Sequence, residues 1–474
     1  MRQLLIVLLF TAGPFLHSES ARKCEFLDAF AEFQTGVTRT RPTTDTFSPS
    51  PSGHFYIHYD TTGTDAPQLT DIDLDGVPDY IEEVGLIADS SRYFLTEILG
   101  YNAEVPDTDF IYDIYVSDRG PGSYGVTTPE DMNGASYIQI DNDYLEGYFV
   151  PGLQTMQLTV AHEFFHAVQI GYTMSISANR FFYEMSSTWL EDVIVPDGDD
   201  YIYWVGEFYE NPSQDITDTN GYSIALFGHY LSLVAENVDN QSTSEIIRLM
   251  WESFAQPGNT AFESMCTVLD EDYNISFIEI WTDYIACNLF NGFDESFYFY
   301  EDQAIIEPIN PASSLLTGPE IFQMELENSR AEIISVRLSD LETTHCNLDI
   351  LHDHPDFTGK IGIVSGNSDS NFILIPVETM SIDMLHDQDK LHFIYGSPQG
   401  NEDLSLSLSP DFFNLPPDPN GDGSWDVLDI VLTVNFIVGT AIPDDDQFEA
   451  ADINDDGTIN ILDVVIMINP IIAL

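Results

Sequence analysis

Positive charge is what this chain has least of. Against 80 Asp and Glu it carries 13 Lys and Arg in 474 residues, a formal net charge of -67. So acidic a chain repels a phosphate backbone, which excludes nucleic acid as a partner. Its self-repulsion calls for salt screening, bound cations or both. Cysteine is scarce too. Cys24, Cys266, Cys287 and Cys346 suffice for two disulfides in any of three pairings, and none stands in a CxxC spacing, so a cysteine-built zinc site is not expected. Long apolar runs are missing after the start of the chain. The run from Leu4 to Leu16, preceded by Arg2, interrupted by Gly13-Pro14 and followed by His17-Ser18-Glu19-Ser20, has the layout of a secretory signal cut near Ser20. The last candidate, Val464 to Leu474, is broken by Asn469 and Pro470. The expectation is a secreted or cell-surface protein with no membrane span in the mature chain. At 43% hydrophobic and 12% aromatic residues, it has the composition of a folded protein rather than an acidic disordered one.

What is present falls into blocks. A short amphipathic segment is followed by a Thr/Pro/Ser-rich stretch from Val37 to Ser52, which reads as a linker, so that 21–52 forms an N-terminal segment after a 1–20 signal. From 53 to 300, strand patterns come first (His54 to Tyr59, Asp113 to Val116, Ser136 to Ile140), with one helix at Tyr80 to Leu99 between them. Helical patterns follow at Leu153 to Tyr172, Phe182 to Asp192, Tyr222 to Ala235, Ser244 to Phe254 and Ile275 to Leu289, an α+β layout. Short alternating runs from 301 to 412 predict a β-sandwich accessory or spacer domain. The final block, 413–474, repeats itself at an offset of 34 residues and predicts a small all-α unit.

The sharpest motif is His162-Glu163-Phe164-Phe165-His166 inside the helical run Leu153 to Tyr172. Residues four apart share a helix face, so His162 and His166 can grip one zinc ion while Glu163 beside them serves as general base. A metzincin would place a third histidine where Tyr172 stands and a glycine where Gln169 stands, so the third ligand must come from elsewhere. The next helical run offers Glu184 and, two turns further on the same face, its rival Glu191; Glu191 or Asp192 can instead orient a histidine. Tyr222, at a predicted helix start, is the candidate oxyanion donor, with His229 next. Nothing in the residues flanking Cys24 supports a role for it as a latency ligand of the zinc. The segment Ser136 to Ile140 is expected to be the edge strand on which substrate lies.

Three loops carry the spacing of calcium ligands. Asp71, Asp73, Asp75, Val77 through its carbonyl, Asp79 and Glu82 occupy positions 1, 3, 5, 7, 9 and 12 of an EF-type loop, with Gly76 at the turn. The tail repeats such a loop twice: Asp418, Asn420, Asp422, Ser424, Asp426 and Asp429, then Asp452, Asn454, Asp456, Thr458, Asn460 and Asp463. About three calcium ions and one catalytic zinc are therefore expected.

Three resemblances follow from these residues. The interval from His166 to Glu184 resembles that of the gluzincins, where a glutamate on the next helix completes a His2Glu site; Thr188 departs from one gluzincin pattern, in which an acidic residue stands four after that glutamate. The loop Asp71 to Glu82, the strand Asp113 to Val116, Ala161 to Tyr172 and Tyr183 to Glu191 together resemble a family of secreted bacterial zinc metalloproteases known from myxobacteria and their relatives, which implies a zincin-like fold and peptidase activity for about residues 53 to 235. The tail resembles a type I dockerin, which implies a cohesin-like partner met by loop positions 10 and 11, here Val427-Leu428 and Ile461-Leu462. The expectation is a calcium-stabilised zinc endopeptidase that acts on proteins or peptides and is tethered by its tail. The alternative is a non-enzymatic, calcium-dependent surface-binding or adhesive protein.

Overall fold

In a computed structural model, the structure describes residues 23–474 except 239–240, 294, 339–344, 354–356, 365–371, 377–379, 387–388, 414–417, 422–425, 455–456 and 474. The signal assigned to 1–20 lies outside the described residues, as do Asp422, Ser424 and Asp456.

The first body is built on a five-stranded sheet. It contains helix α1 (Phe26–Gln34), strands β1 (Thr46–Pro49) and β2 (Phe55–Tyr59), helix α2 (Asp79–Tyr93), and strands β3 (Tyr112–Val116), β4 (Gly125–Pro129) and β5 (Ser136–Ile140). The strands lie in the order β1-β2-β3-β5-β4; β2, β3 and β5 run parallel, and β1 and β4 are antiparallel to their neighbours. Two expectations change here. The stretch read as a linker contains β1, paired with β2, and its Arg41 is clasped by Asp107, Asp113 and Glu130, partners too far along the chain for local pattern to reveal. The strand Ser136 to Ile140 is interior, because the five residues Gly-Val-Thr-Thr-Pro form β4 and take the edge.

Helices α3 (Leu153–Tyr172) and α4 (Arg180–Ile194) pack on each other, and α3 packs on this sheet through β4 and β5. Almost every residue of α3 from Thr155 to Ile170 is buried, so its mostly apolar circumference is that of a helix enclosed on all sides. Beyond come α5 (Ile202–Glu210), α6 (Ala225–Tyr230), α7 (Ile246–Phe254), α8 (Ala261–Tyr273) and α9 (Phe277–Cys287). The helix expected at Tyr222 to Ala235 is a 3-10 turn, then α6, then a π turn, and Gly221 immediately precedes it.

Nine strands form two sheets around a second core: β6 (Ser314–Leu316), β7 (Glu320–Leu326), β8 (Glu332–Leu338), β9 (His345–His352), β10 (Thr358–Val364), β11 (Phe372–Pro376), β12 (Met380–His386), β13 (Lys390–Gly396) and β14 (Glu402–Phe413). Their orders are β11-β10-β13-β8-β6 and β12-β9-β14-β7. Residues 301 to 309 precede the strands and pack instead with the helices, where Ile306 and Ile309 join the first core. The tail holds α10 (Val427–Ile437), α11 (Asp445–Ala451) and α12 (Ile461–Ala473), with α10 against α12. The result is a multidomain α+β protein. All four cysteines are free thiols. Cys24 is drawn into the cluster described next and Cys346 is buried in the sandwich core, so neither has a disulfide partner.

Candidate metal centre

Helix α3 presents His162 and His166 on one face, their Nε2 atoms 3.0 Å apart. Helix α4 brings Glu184 against them, with Oε2 3.2 Å from Nε2 of His162 and 3.4 Å from Nε2 of His166. Bonds of roughly 2.0–2.1 Å to a tetrahedral zinc would set three such donors about 3.3 Å apart.

The outer nitrogens fix what the inner ones offer. His162 Nδ1 lies 2.6 Å from Glu191 Oε1, and His166 Nδ1 lies 2.7 Å from Gln169 Oε1. Both acceptors require a proton on Nδ1, which in the neutral rings leaves the two Nε2 lone pairs facing each other and a carboxylate. Both Glu184 oxygens are buried without a hydrogen-bond partner. Such a convergence of lone pairs requires a cation. Where no metal is bound a proton can play that part: burial opposes a charge on His162, but Glu184 and Glu191 outweigh it and push its pKa up to about 10. Burial also opposes the charge on Glu184, and the two imidazoles outweigh that and bring it down to about 2.

Of the two rival carboxylates, then, Glu184 faces the two Nε2 atoms and Glu191 lies against His162 Nδ1. Glu163 points its carboxylate toward β4, where the Thr127 hydroxyl lies 2.8 Å from Oε2; Oε1 has no partner. This approach depends on Gly125, since a Cβ there would lie 2.8 Å from Glu163 Cγ and 2.7 Å from Thr159 Cγ2. Tyr222 reaches the cluster with its ring 6.1 Å from that of His162, and burial followed by the negative Glu184 raises its phenol pKa far above the ordinary value. Its position relies on Gly221, at φ +89°, where a Cβ would come within 2.5 Å of Glu184 Cβ and the Phe181 carbonyl. His229 takes no part: it stacks on Tyr300, bonds Gln241 through Nδ1, and burial lowers its pKa to about 3.

Sequence reasoning missed several participants. Gln169 was noted only as a departure from a metzincin, yet three residues after His166 on the same helix it is well placed to hold that ring. Its amide nitrogen lies 3.0 Å from the Tyr183 carbonyl and from the Ser186 and Ser187 hydroxyls. Thr127 gave no local signal. Cys24, for which the sequence offered no support, places Sγ with the donor atoms of His162, His166 and Glu184, all four within 4.8 Å of one another.

A second acidic group gathers Asp71, Asp73 and Asp75 in the loop before α2. Asp71 accepts from the Leu74 and Gly76 amides, at 2.7 and 3.0 Å, and Asp79 accepts from Ile72 at 3.0 Å, folding the loop around its carboxylates. Asp79 and Glu82, the expected ligands at positions 9 and 12, lie outside that group, though burial, then Asp75, Asp73, Asp79 and Asp71, raise the pKa of Glu82. In the tail, equivalent bonds recur at the 34-residue offset. The Asn420 and Asp426 amides donate to Asp429, and those of Asn454 and Asn460 donate to Asp463. Val427, Leu428 and Val431 are exposed at one end of the repeat, and Ile461, Leu462 and Val465 at the other.

The first body is thus an α+β scaffold with a buried His-His-Glu-Cys donor set, and the tail is a pair of loop-helix units. Residues 416–472 match the family model of the dockerin type I domain. No curated protein matches the chain. A type I dockerin binds calcium and implies a cohesin partner and a tethering role. Among the described residues, no helix is long and apolar enough to cross a membrane.

Proposed function

We propose that the chain is an extracellular zinc endopeptidase, braced by calcium at the Asp71 to Glu82 loop and carried to its place of action by the dockerin. The observation that supports this most is the convergence of His162, His166 and Glu184, each imidazole held from behind, with one oxygen of Glu163 unpartnered beside them. A zinc ion held by these three residues supplies Lewis acidity, polarising a carbonyl and acidifying water. Glu163, with one oxygen anchored by Thr127, takes the proton from the attacking water and returns it to the leaving amine. Tyr222, kept protonated by its raised pKa, donates to the developing oxyanion. Strand β4, at the edge of the sheet and beside Glu163, offers its backbone to an extended peptide substrate.

Casein cleavage that vanishes on zinc chelation at constant calcium, and returns with zinc, tests this reading. In the cleaving form, Glu163→Gln is expected to lower turnover by about 10²–10⁴-fold with zinc still bound; retained cleavage rejects the assignment. The rival, a calcium-dependent adhesive protein with a structural zinc, is favoured by one observation. With Cys24 the donor set reaches four, as in closed structural sites. It leaves the buried, half-unpartnered Glu163 without a task.

A further inference from the structure

The segment from Lys23 to Gln34 plays no part in the reaction above, yet it lies against the reacting face. Cys24 Sγ belongs to the donor cluster and accepts a hydrogen bond from the Phe26 amide at 3.3 Å, the kind of outer contact that supports a thiolate ligand. The Glu25 amide donates to the Gly125 carbonyl at 3.1 Å, so this backbone already uses the rim of β4 that a substrate would need. Helix α1 continues along β4, and the Phe26 ring stacks on His166 at 4.2 Å.

The neighbouring side chains seal the same place. Lys23 is buried, with Nζ 2.9 Å from Glu191 and 2.5 Å from Asp200, over the Tyr124 ring. Glu25 accepts from Ser123 at 2.7 Å and pairs with Arg119 at 3.1 Å. Beneath them the Glu184 oxygens and Glu163 Oε1 are buried without a hydrogen-bond partner, so Sγ converges on the same point as acceptors that no protein donor satisfies.

Resting on the zinc-peptidase reading, we infer that Cys24 is the fourth protein ligand of the metal and that Lys23 to Gln34 is an inhibitory segment, which keeps the enzyme latent until it is cut away. A catalytic zinc needs one position open to water, and a thiolate in that position closes it. Release has a route. Residues 35 to 38 are exposed, whereas Arg41 just beyond is fastened to the sheet by Asp107, Asp113 and Glu130. Hydrolysis of a peptide bond in 35–38, by another peptidase or a second copy of the chain, separates the segment from the body and leaves β1 in place.

The test uses the chain from residue 21 to the end, freed of metal and reloaded with one equivalent of cobalt(II) or zinc. The cobalt form is expected to show a thiolate-to-cobalt charge-transfer absorption that disappears in Cys24→Ser and Cys24→Ala while one cobalt remains bound. With zinc, casein cleavage by either variant is expected to exceed the parent's on the order of tenfold or more, because the fourth position is open. A bound cobalt without the charge-transfer band in the parent overturns ligation by Cys24. A band together with equal cleavage by parent and variants overturns latency. If parent and both variants hold zinc and none cleaves casein, the peptidase reading fails and the inhibitory role falls with it; the presence of the band then still decides the ligand.

Discussion

Glu191→Gln isolates the contribution of a residue that touches no metal in this arrangement. The carboxylate has two tasks: Oε1 accepts from His162 Nδ1 at 2.6 Å, and Oε2 pairs with Lys23 at 2.9 Å. Glutamine keeps the shape but has one acceptor oxygen for two donors, and its amide N–H groups would face either the Nδ1 proton or the ammonium. Lys23 retains Asp200, so the larger loss falls on His162, whose ring becomes less basic and less firmly oriented. Supporting contacts of this kind typically carry about 10–100-fold in metal affinity, which corresponds to roughly 1.4–2.8 kcal/mol. Competition against a zinc-indicator dye at fixed pH measures the ratio directly. Thr188→Ala, on the same buried helix, controls for general loosening. A Glu191→Gln affinity within threefold of the parent, or a loss matched by Thr188→Ala, refutes the division of labour between Glu184 as ligand and Glu191 as support.

Asp192 is buried among Asp302, Asp199 and Glu191, and burial first, then those charges, raise its pKa from 3.8 to about 8. The folded chain therefore holds a proton that the unfolded chain sheds, and stability from this group, full below pH 3.8, declines as pH climbs to about 8. In urea unfolding with chelator present, Asp192→Asn should match the parent near pH 4 and exceed it near pH 8; an unchanged pH slope counts against this. Calcium at about a hundred times its dissociation constant should raise the parent's thermal midpoint by about 5–10 °C, and Glu82→Gln, which removes the bidentate ligand, should lose most of that rise; an equal shift in both chains excludes the Asp71 to Glu82 loop as its source. For the tail, Leu428→Asp or Leu462→Asp alone should leave a cohesin bound through the other unit, whereas the double variant should abolish capture. Full loss from one substitution would show that only one face docks.

Much of the scaffold was legible because it is local. Helix α3 announces its limits through a sustained run of apolar residues, and Ser136 to Ile140 through clean alternation. Strand β4 was hidden, since Gly-Val-Thr-Thr-Pro carries a glycine and a proline that read as turn, and its pairing with β5 is a tertiary matter. The same holds for Val37 to Ser52, where prolines and threonines spoke for a linker and only the distant carboxylates around Arg41 make it part of the sheet. At the cluster, spacing along helices identified His162, Glu163, His166 and the choice between Glu184 and Glu191. Face periodicity alone did not separate ligand from support, because both carboxylates lie on one face of α4; the gluzincin-like interval from His166 favoured Glu184, and the approach of α3 decides which nitrogen each meets. Cys24 was invisible for a related reason: its partners all lie far along the chain, and no periodicity links them.

The buried ammonium of Lys23 has a consequence for dilution. Carboxylates on the outside repel one another more strongly as ions are removed from the medium, because the screening length grows. The contacts of Lys23 with Glu191 and Asp200 are enclosed, with side-chain exposures of 2%, 3% and 0%, and feel little of the bulk electrolyte. Moving from brine to fresh water should therefore strain the body of the molecule while leaving the contacts of Lys23 intact, so that desalting by itself does not free the segment that begins there.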